Sequence, residues 1–188
     1  MELILKREVV SDKITCRVIG VAVFVVLMAL GAFVRIPLPF SPVPLTLQTF
    51  FVLLSGAVLG GRLGLSSQAI YMMLGIAGMP IFANASSGFG YLLGPTGGYI
   101  MGFFAATMFL GMTMRHGGGS LLRIFALMCA ADAILLFCGI IWLKVLLGYD
   151  LSKLFLVGFL PFIPGDALKA AAASAIVFKM QPRMRQVF

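Results

Sequence analysis

Apolar residues gather in six stretches along this chain, roughly 15–36, 46–61, 63–78, 97–115, 121–147 and 164–181. A helix needs about 20 residues to cross a bilayer, so the second and third stretches are short and are expected to be tilted or partly re-entrant. The pattern predicts an all-α integral membrane protein with six transmembrane helices. It forms a single membrane domain over 1–188: a cytoplasmic segment 1–14, a bundle 15–181 and a basic tail 182–188.

Composition sharpens this reading. The 188 residues are 61% hydrophobic and 11% charged, with a mean hydropathy of +1.10. A soluble domain carries about 25% charged residues, so the ionic surface that keeps a globule in water is missing. Met1 to Arg17 mixes both signs of charge and lacks the apolar core and small-residue cleavage site of a secretory signal. Val18 to Val34 is therefore expected to stay as a first helix.

Net charge is +8. No basic stripe with interleaved aromatics accompanies it, so nucleic acid is not an expected partner. The cations sit at loop ends instead. Lys6, Arg7, Lys13, Arg17, Arg62, Arg115, Arg123, Lys179, Arg183 and Arg185 fall on one side of six spans, against Arg35, Lys144 and Lys153 on the other. The positive-inside rule then puts both termini in the cytoplasm.

Two loops fall on the outer side. Ile36 to Pro44 has four prolines at spacings that forbid a helix and favour a stiff extended segment. Gly78 to Tyr99 is long, uncharged and rich in Gly, Ser and aromatics; a loop of that length is functional or disordered, and its apolar content argues against disorder. Small residues repeat every fourth position at Gly98, Gly102 and Ala106 and at Ala167, Ala171 and Ala175. Such stripes let helices approach closely in lipid, as internal packing or as docking onto another membrane subunit.

The chemistry centres on Pro161-Phe162-Ile163-Pro164-Gly165-Asp166-Ala167-Leu168-Lys169. Asp166 and Lys169 share a helix face at i, i+3. Ionisable side chains in apolar surroundings are costly and usually face a cavity. The pair is either a structural salt bridge or a ligand site, and buried pairs are poor stability devices. Asn84 carries an amide that both donates and accepts, suited to a urea, amide or carboxylate group. Tyr91 and Tyr99 offer an aromatic face with a hydroxyl, or membrane-interface anchors. Gln48 and Thr49 form a small polar cluster.

Asp132 lies in mid-segment with no cation near it in sequence, either as a functional intramembrane acid or as a protonated carboxyl with a local partner. His116 reads as a loop residue. Cys129 and Cys138 are too far apart to bridge, and no metal site or disulfide is expected. There is no phosphate-binding G-x-x-x-x-G-K-[ST], no G-x-S-x-G and no H-E-x-x-H, so neither ATP binding nor catalysis is expected.

Three motifs in order, Arg35 to Thr49, Gly94 to Tyr99 and Pro161 to Lys169, resemble the BioY family, the biotin-specific S subunits of energy-coupling-factor (ECF) transporters. The resemblance runs through nearly the whole chain from the first helix. It implies a six-helix S-component bundle in a bacterial-type plasma membrane, binding biotin at high affinity near the outer face without a cofactor. The implied partners are a transmembrane coupling protein and two cytoplasmic ABC-type ATPases. Carried over residue by residue, it implies ligand binding by Asn84, Tyr99, Asp166 and Lys169, with Gln48 and Tyr91 nearby. In that reading Asn84 and Asp166 meet the ureido ring, Lys169 pairs with Asp166 or with the valerate carboxylate, and Tyr99 packs on the bicyclic ring.

S subunits of this class commonly carry Ala-x-x-x-Ala on helix 1 for docking. The best match here is Ala22-x-x-x-Val26, with Ala29 further on. Two rival classes are a solitary proton-coupled secondary transporter of a small carboxylate or vitamin, using Asp132, and an intramembrane enzyme, for which no nucleophile–base pair exists.

Overall fold

The computed structural model describes residues 2–114 and 119–187, with side chains for 13–114 and 119–181. Arg115 and His116 lie outside the described residues, as do the side chains of Lys6, Arg7, Arg183 and Arg185.

Helices dominate: α1 (Glu2–Phe33), α2 (Gln48–Ile76), α3 (Phe89–Leu92), α4 (Gly97–Thr113), α5 (Leu121–Leu147), α6 (Leu151–Gly158) and α7 (Ile163–Val187). Lys13–Phe33, α2 and α5 are long and apolar enough to cross a bilayer, α4 is a shorter apolar helix, and α6 with α7 forms a further span bent by 50°. This is a membrane protein built from helices.

The second and third apolar stretches merge into α2, and Gly60 breaks it at φ 77°, ψ 177°. L-residues avoid that conformation and glycine does not. Gln68 Nε2 then donates to Ser55 Oγ at 2.9 Å across thirteen positions. A straight helix would rise about 20 Å over that interval, so α2 folds back as two antiparallel arms. Gln68 also donates to Thr107 Oγ1 on α4 at 3.2 Å, a buried polar link among three helical segments. Gly111 on α4 touches the turn: a Cβ there would lie 2.1 Å from the Gly61 nitrogen.

The two small-residue stripes face opposite ways. Gly98, Gly102 and Ala106 are buried, and a Cβ on Gly98 would meet Trp142 on α5 at 2.1 Å. Ala167, Ala171 and Ala175 are exposed, so internal packing does not use that face of α7.

The proline segment is held at its ends by two short strands, β1 (Arg35–Ile36) and β2 (Leu45–Thr46), paired antiparallel. Prolines cannot donate to a ladder, so pairing is confined to the flanks. The long loop is not fully irregular, since it contains a 3₁₀ turn at Ala83–Ala85 and α3. Helix α6 fills part of the interval between α5 and α7 that the hydrophobic pattern left open. Gly148 at φ 63° ends α5 and starts that turn.

Candidate functional site: a polar cavity at three helix starts

The first turns of α2, α4 and α7 converge on one cavity. Gln48 and Thr49 open α2, Thr96 and Tyr99 open α4, and Asp166 and Lys169 sit in the first two turns of α7; all six line it. The caps Leu47 and Thr96 make no side-chain capping bond. Unsatisfied N–H groups and aligned peptide dipoles make such ends favourable to negative charge.

Lys169 is committed. Its Nζ donates to Asp166 Oδ1 at 2.5 Å, Thr46 O at 2.7 Å and Thr49 Oγ1 at 2.8 Å. An ammonium has three N–H groups, so none is left over. Asp166, 3% exposed, keeps its Oδ2 without a hydrogen-bond partner. Gln48, 5% exposed, keeps its Nε2 without one. The wall thus presents one unused acceptor and one unused donor, and a buried polar atom left unpaired is costly.

In the aromatic wall the polar end of Tyr99 is tied to backbone. Tyr99 donates its hydroxyl to Gly158 O at 2.8 Å, and its ring lies 5.9 Å from that of Phe162. Gly139 makes room for it: a Cβ there would fall 2.3 Å from the Tyr99 ring. Tyr91 stacks on Phe82 at 4.9 Å. Burial pushes the Tyr91 hydroxyl above its usual value, against smaller opposing effects of Thr96 and Arg35, so it stays protonated and able to donate.

Of the residues singled out from sequence, Gln48, Tyr91, Tyr99, Asp166 and Lys169 line this cavity together. Asn84 does not. It is exposed, in the left-handed conformation at φ 66°, next to Ala83, which does line the wall. Ala22 and Val26 are exposed on α1, and Ala29 is half-buried against the core. Tyr71 was missed: it lines the cavity and donates to Ile81 O at 2.9 Å. Its one signal was a hydroxyl inside an apolar stretch, which needs a partner when buried. Asp132, 6% exposed on α5, keeps its Oδ1 without a hydrogen-bond partner and does not line the cavity.

Comparison with known proteins gives concordant results. The model of the BioY family matches residues 6–186. A Pyrococcus horikoshii protein named a probable biotin transporter BioY is 44% identical over 161 residues, covering 86% of this chain and 93% of that one. The biotin transporter BioY of Thermotoga maritima is 36% identical over 165 residues, covering 88% and 95%. A crystal structure of the S-component for biotin from an ECF-type ABC transporter superposes with a TM-score of 0.85 at 24% identity, covering 91% of this chain and 93% of that one. The two share a fold.

Proposed function

This chain belongs to the BioY family, and on that premise we propose that it is the biotin-binding S subunit of an ECF-type importer. Biotin is captured at the outer face of the cell membrane and delivered by ATP-driven movement of partner subunits. The observation that carries this reading is the pairing of an unused acceptor, Asp166 Oδ2, with an unused donor, Gln48 Nε2, in one small aromatic-walled cavity. A ureido ring needs both, acceptors for its N–H groups and a donor for its carbonyl. Tyr99 and Tyr91 supply flat apolar faces for the bicycle. The three helix starts favour the valerate carboxylate, while Lys169 serves mainly to hold Asp166. Asn84, one residue from the wall, meets the ligand at the mouth.

The same reading supplies a topology. Counting the two arms of α2 separately, and α6 with α7 as one, makes six spans. Arg62, Arg123 and Lys179 then lie at the end away from the cavity, and Arg35, Lys144 and Lys153 at the cavity end. Charge bias puts the first group and both termini in the cytoplasm. The chain works as a single membrane domain with a coupling protein and two ABC-type ATPases.

Calorimetric titration of the purified, folded protein with biotin and with lipoate tests the assignment. Both ligands carry a valerate and only biotin carries the ureido ring. Biotin binding without lipoate binding is expected. A folded protein that ignores biotin overturns the reading.

A further inference from the structure

The segment from Gly78 to Thr96 carries Ala83, Tyr91 and Thr96 of the cavity wall, with exposed Asn84 beside them. A connection of this length has many ways to fold unless something seats it. Here the seat is a missing side chain. Gly75, buried near the end of α2, faces the ring of Phe82, which is itself fully buried. A Cβ on Gly75 would lie 2.1 Å from Phe82 Cζ, and 2.6 Å or less from both Cε atoms. Carbon atoms pack at about 3.5–4.0 Å, so the ring occupies the space that any other residue at 75 would fill.

The backbone around this contact is tied to the same turn of α2. Gly88 N–H donates to Gly75 O at 2.8 Å, and Met79 N–H to Leu74 O at 3.1 Å. Both carbonyls belong to the last turn of the helix, where C=O groups lack intrahelical partners, so the segment also satisfies them. Tyr71, one turn before Gly75, donates its hydroxyl to Ile81 O at 2.9 Å. Phe82 N–H closes a small loop onto Ser86 O at 3.0 Å. At the far end, Trp142 Nε1 on α5 donates to Gly94 O at 2.9 Å. Two different helices thus hold the two ends of the segment.

From its seat Phe82 braces two rings from different elements. Tyr91 of α3 stacks on it at 4.9 Å, with 15° between the ring planes. Tyr71 of α2 meets it edge-on at 5.6 Å and 70°. Stacked and edge-on pairs of this kind are favourable beyond the area they bury. Both tyrosines line the cavity, so a shift of Phe82 moves two parts of its wall at once.

We propose that Gly75 and Phe82 are positioning residues for ligand capture: the Phe82 ring, seated in the space that Gly75 leaves on α2, fixes segment 78–96 as a pre-formed wall, with Tyr91 in place before the ligand arrives. This deepens the biotin-binding reading above and rests on it. A wall already ordered costs the ligand no ordering entropy on binding, which is how pre-organisation raises affinity.

The test is a double-mutant cycle on biotin affinity with Gly75→Ala, Phe82→Leu and the two combined, each shown to be folded. Gly75→Ala drives the ring from its seat and is expected to weaken binding about tenfold or more. Phe82→Leu removes the brace on Tyr91 and is expected to weaken it about threefold to tenfold. In the double variant the added methyl enters space that the smaller side chain has vacated. Its affinity is therefore expected within about threefold of Phe82→Leu alone. If Gly75→Ala does not fold, a double variant that folds and binds like Phe82→Leu shows the same coupling. Losses that simply multiply, or wild-type affinity in Gly75→Ala, overturn the proposal.

Amide hydrogen exchange without biotin keeps this apart from the ligand assignment. Slow exchange over 78–93 in wild type, made faster in Phe82→Leu while α5 is unchanged, supports the fixed wall whatever the ligand is. Fast exchange over 78–93 in wild type overturns it even if biotin binds. Exchange that quickens equally in α5 reduces Phe82 to general stability and overturns the positioning role.

Discussion

The hydroxyl of Tyr99 donates to the carbonyl of Gly158 at 2.8 Å, tying the start of α4 to the end of α6 just before the chain bends into α7. That carbonyl belongs to the last turn of a helix and has no intrahelical partner. The bond fixes the aromatic wall and the approach to Asp166 together. Tyr99→Phe keeps the ring and leaves the carbonyl unpaired, so a stability loss of about 1 kcal/mol is expected, with biotin affinity within about threefold of wild type. Thermal unfolding and calorimetry on the same preparation check both parts.

Gly139 is the opposite case, since it contributes only space. A Cβ there would lie 2.3 Å from the Tyr99 ring, closer than any carbon contact tolerates. Gly139→Val is expected to drive Tyr99 into the cavity and to lower biotin affinity about a hundredfold, beyond any stability cost of about 1–3 kcal/mol for overpacking. Affinity equal to wild type would show that the cavity does not depend on this ring.

The Asp166–Lys169 pair has a double-mutant signature. Lys169→Met leaves a buried carboxylate uncompensated and is expected to cost about 3–5 kcal/mol of stability. Asp166→Asn combined with Lys169→Met removes both charges and is expected to recover most of that stability without recovering biotin binding. Recovery of both would reduce the pair to a structural role.

Asn84 separates backbone from side chain. Its φ of 66° is open to glycine at no steric cost, so Asn84→Gly keeps the turn and removes the amide. A fall in biotin affinity of about tenfold is expected if the amide meets the ligand at the mouth. An unchanged affinity would assign Asn84 to turn geometry alone.

Docking is tested on the face of α1 that this bundle leaves open. Ala22 is exposed and Val26 is 55% exposed. Ala22→Trp is expected to leave biotin affinity intact while abolishing co-purification with the coupling protein and biotin uptake. Unimpaired uptake would move the docking surface elsewhere, with the exposed Ala167, Ala171 and Ala175 face of α7 next to be tried.

Local chemistry determined much of this protein before any fold was known. Apolar run lengths marked the helices, the prolines of 37–44 excluded a helix between Phe33 and Gln48, and i, i+3 spacing put Asp166 beside Lys169. Each is a short-range property, decided by backbone sterics or helical periodicity within a few residues. The resemblance to a family added that the cavity residues belong together. Tertiary structure decided the rest. The turn at Gly60 brought Tyr71 on the second arm of α2 to the cavity that Gln48 opens on the first. The left-handed backbone at Asn84 left that residue outside the wall. The packing of α5 in the bundle buried Asp132, which has no cation near it in sequence. These are long-range juxtapositions, fixed by which helix faces pack together, and periodicity within one helix carries no information about the face of another.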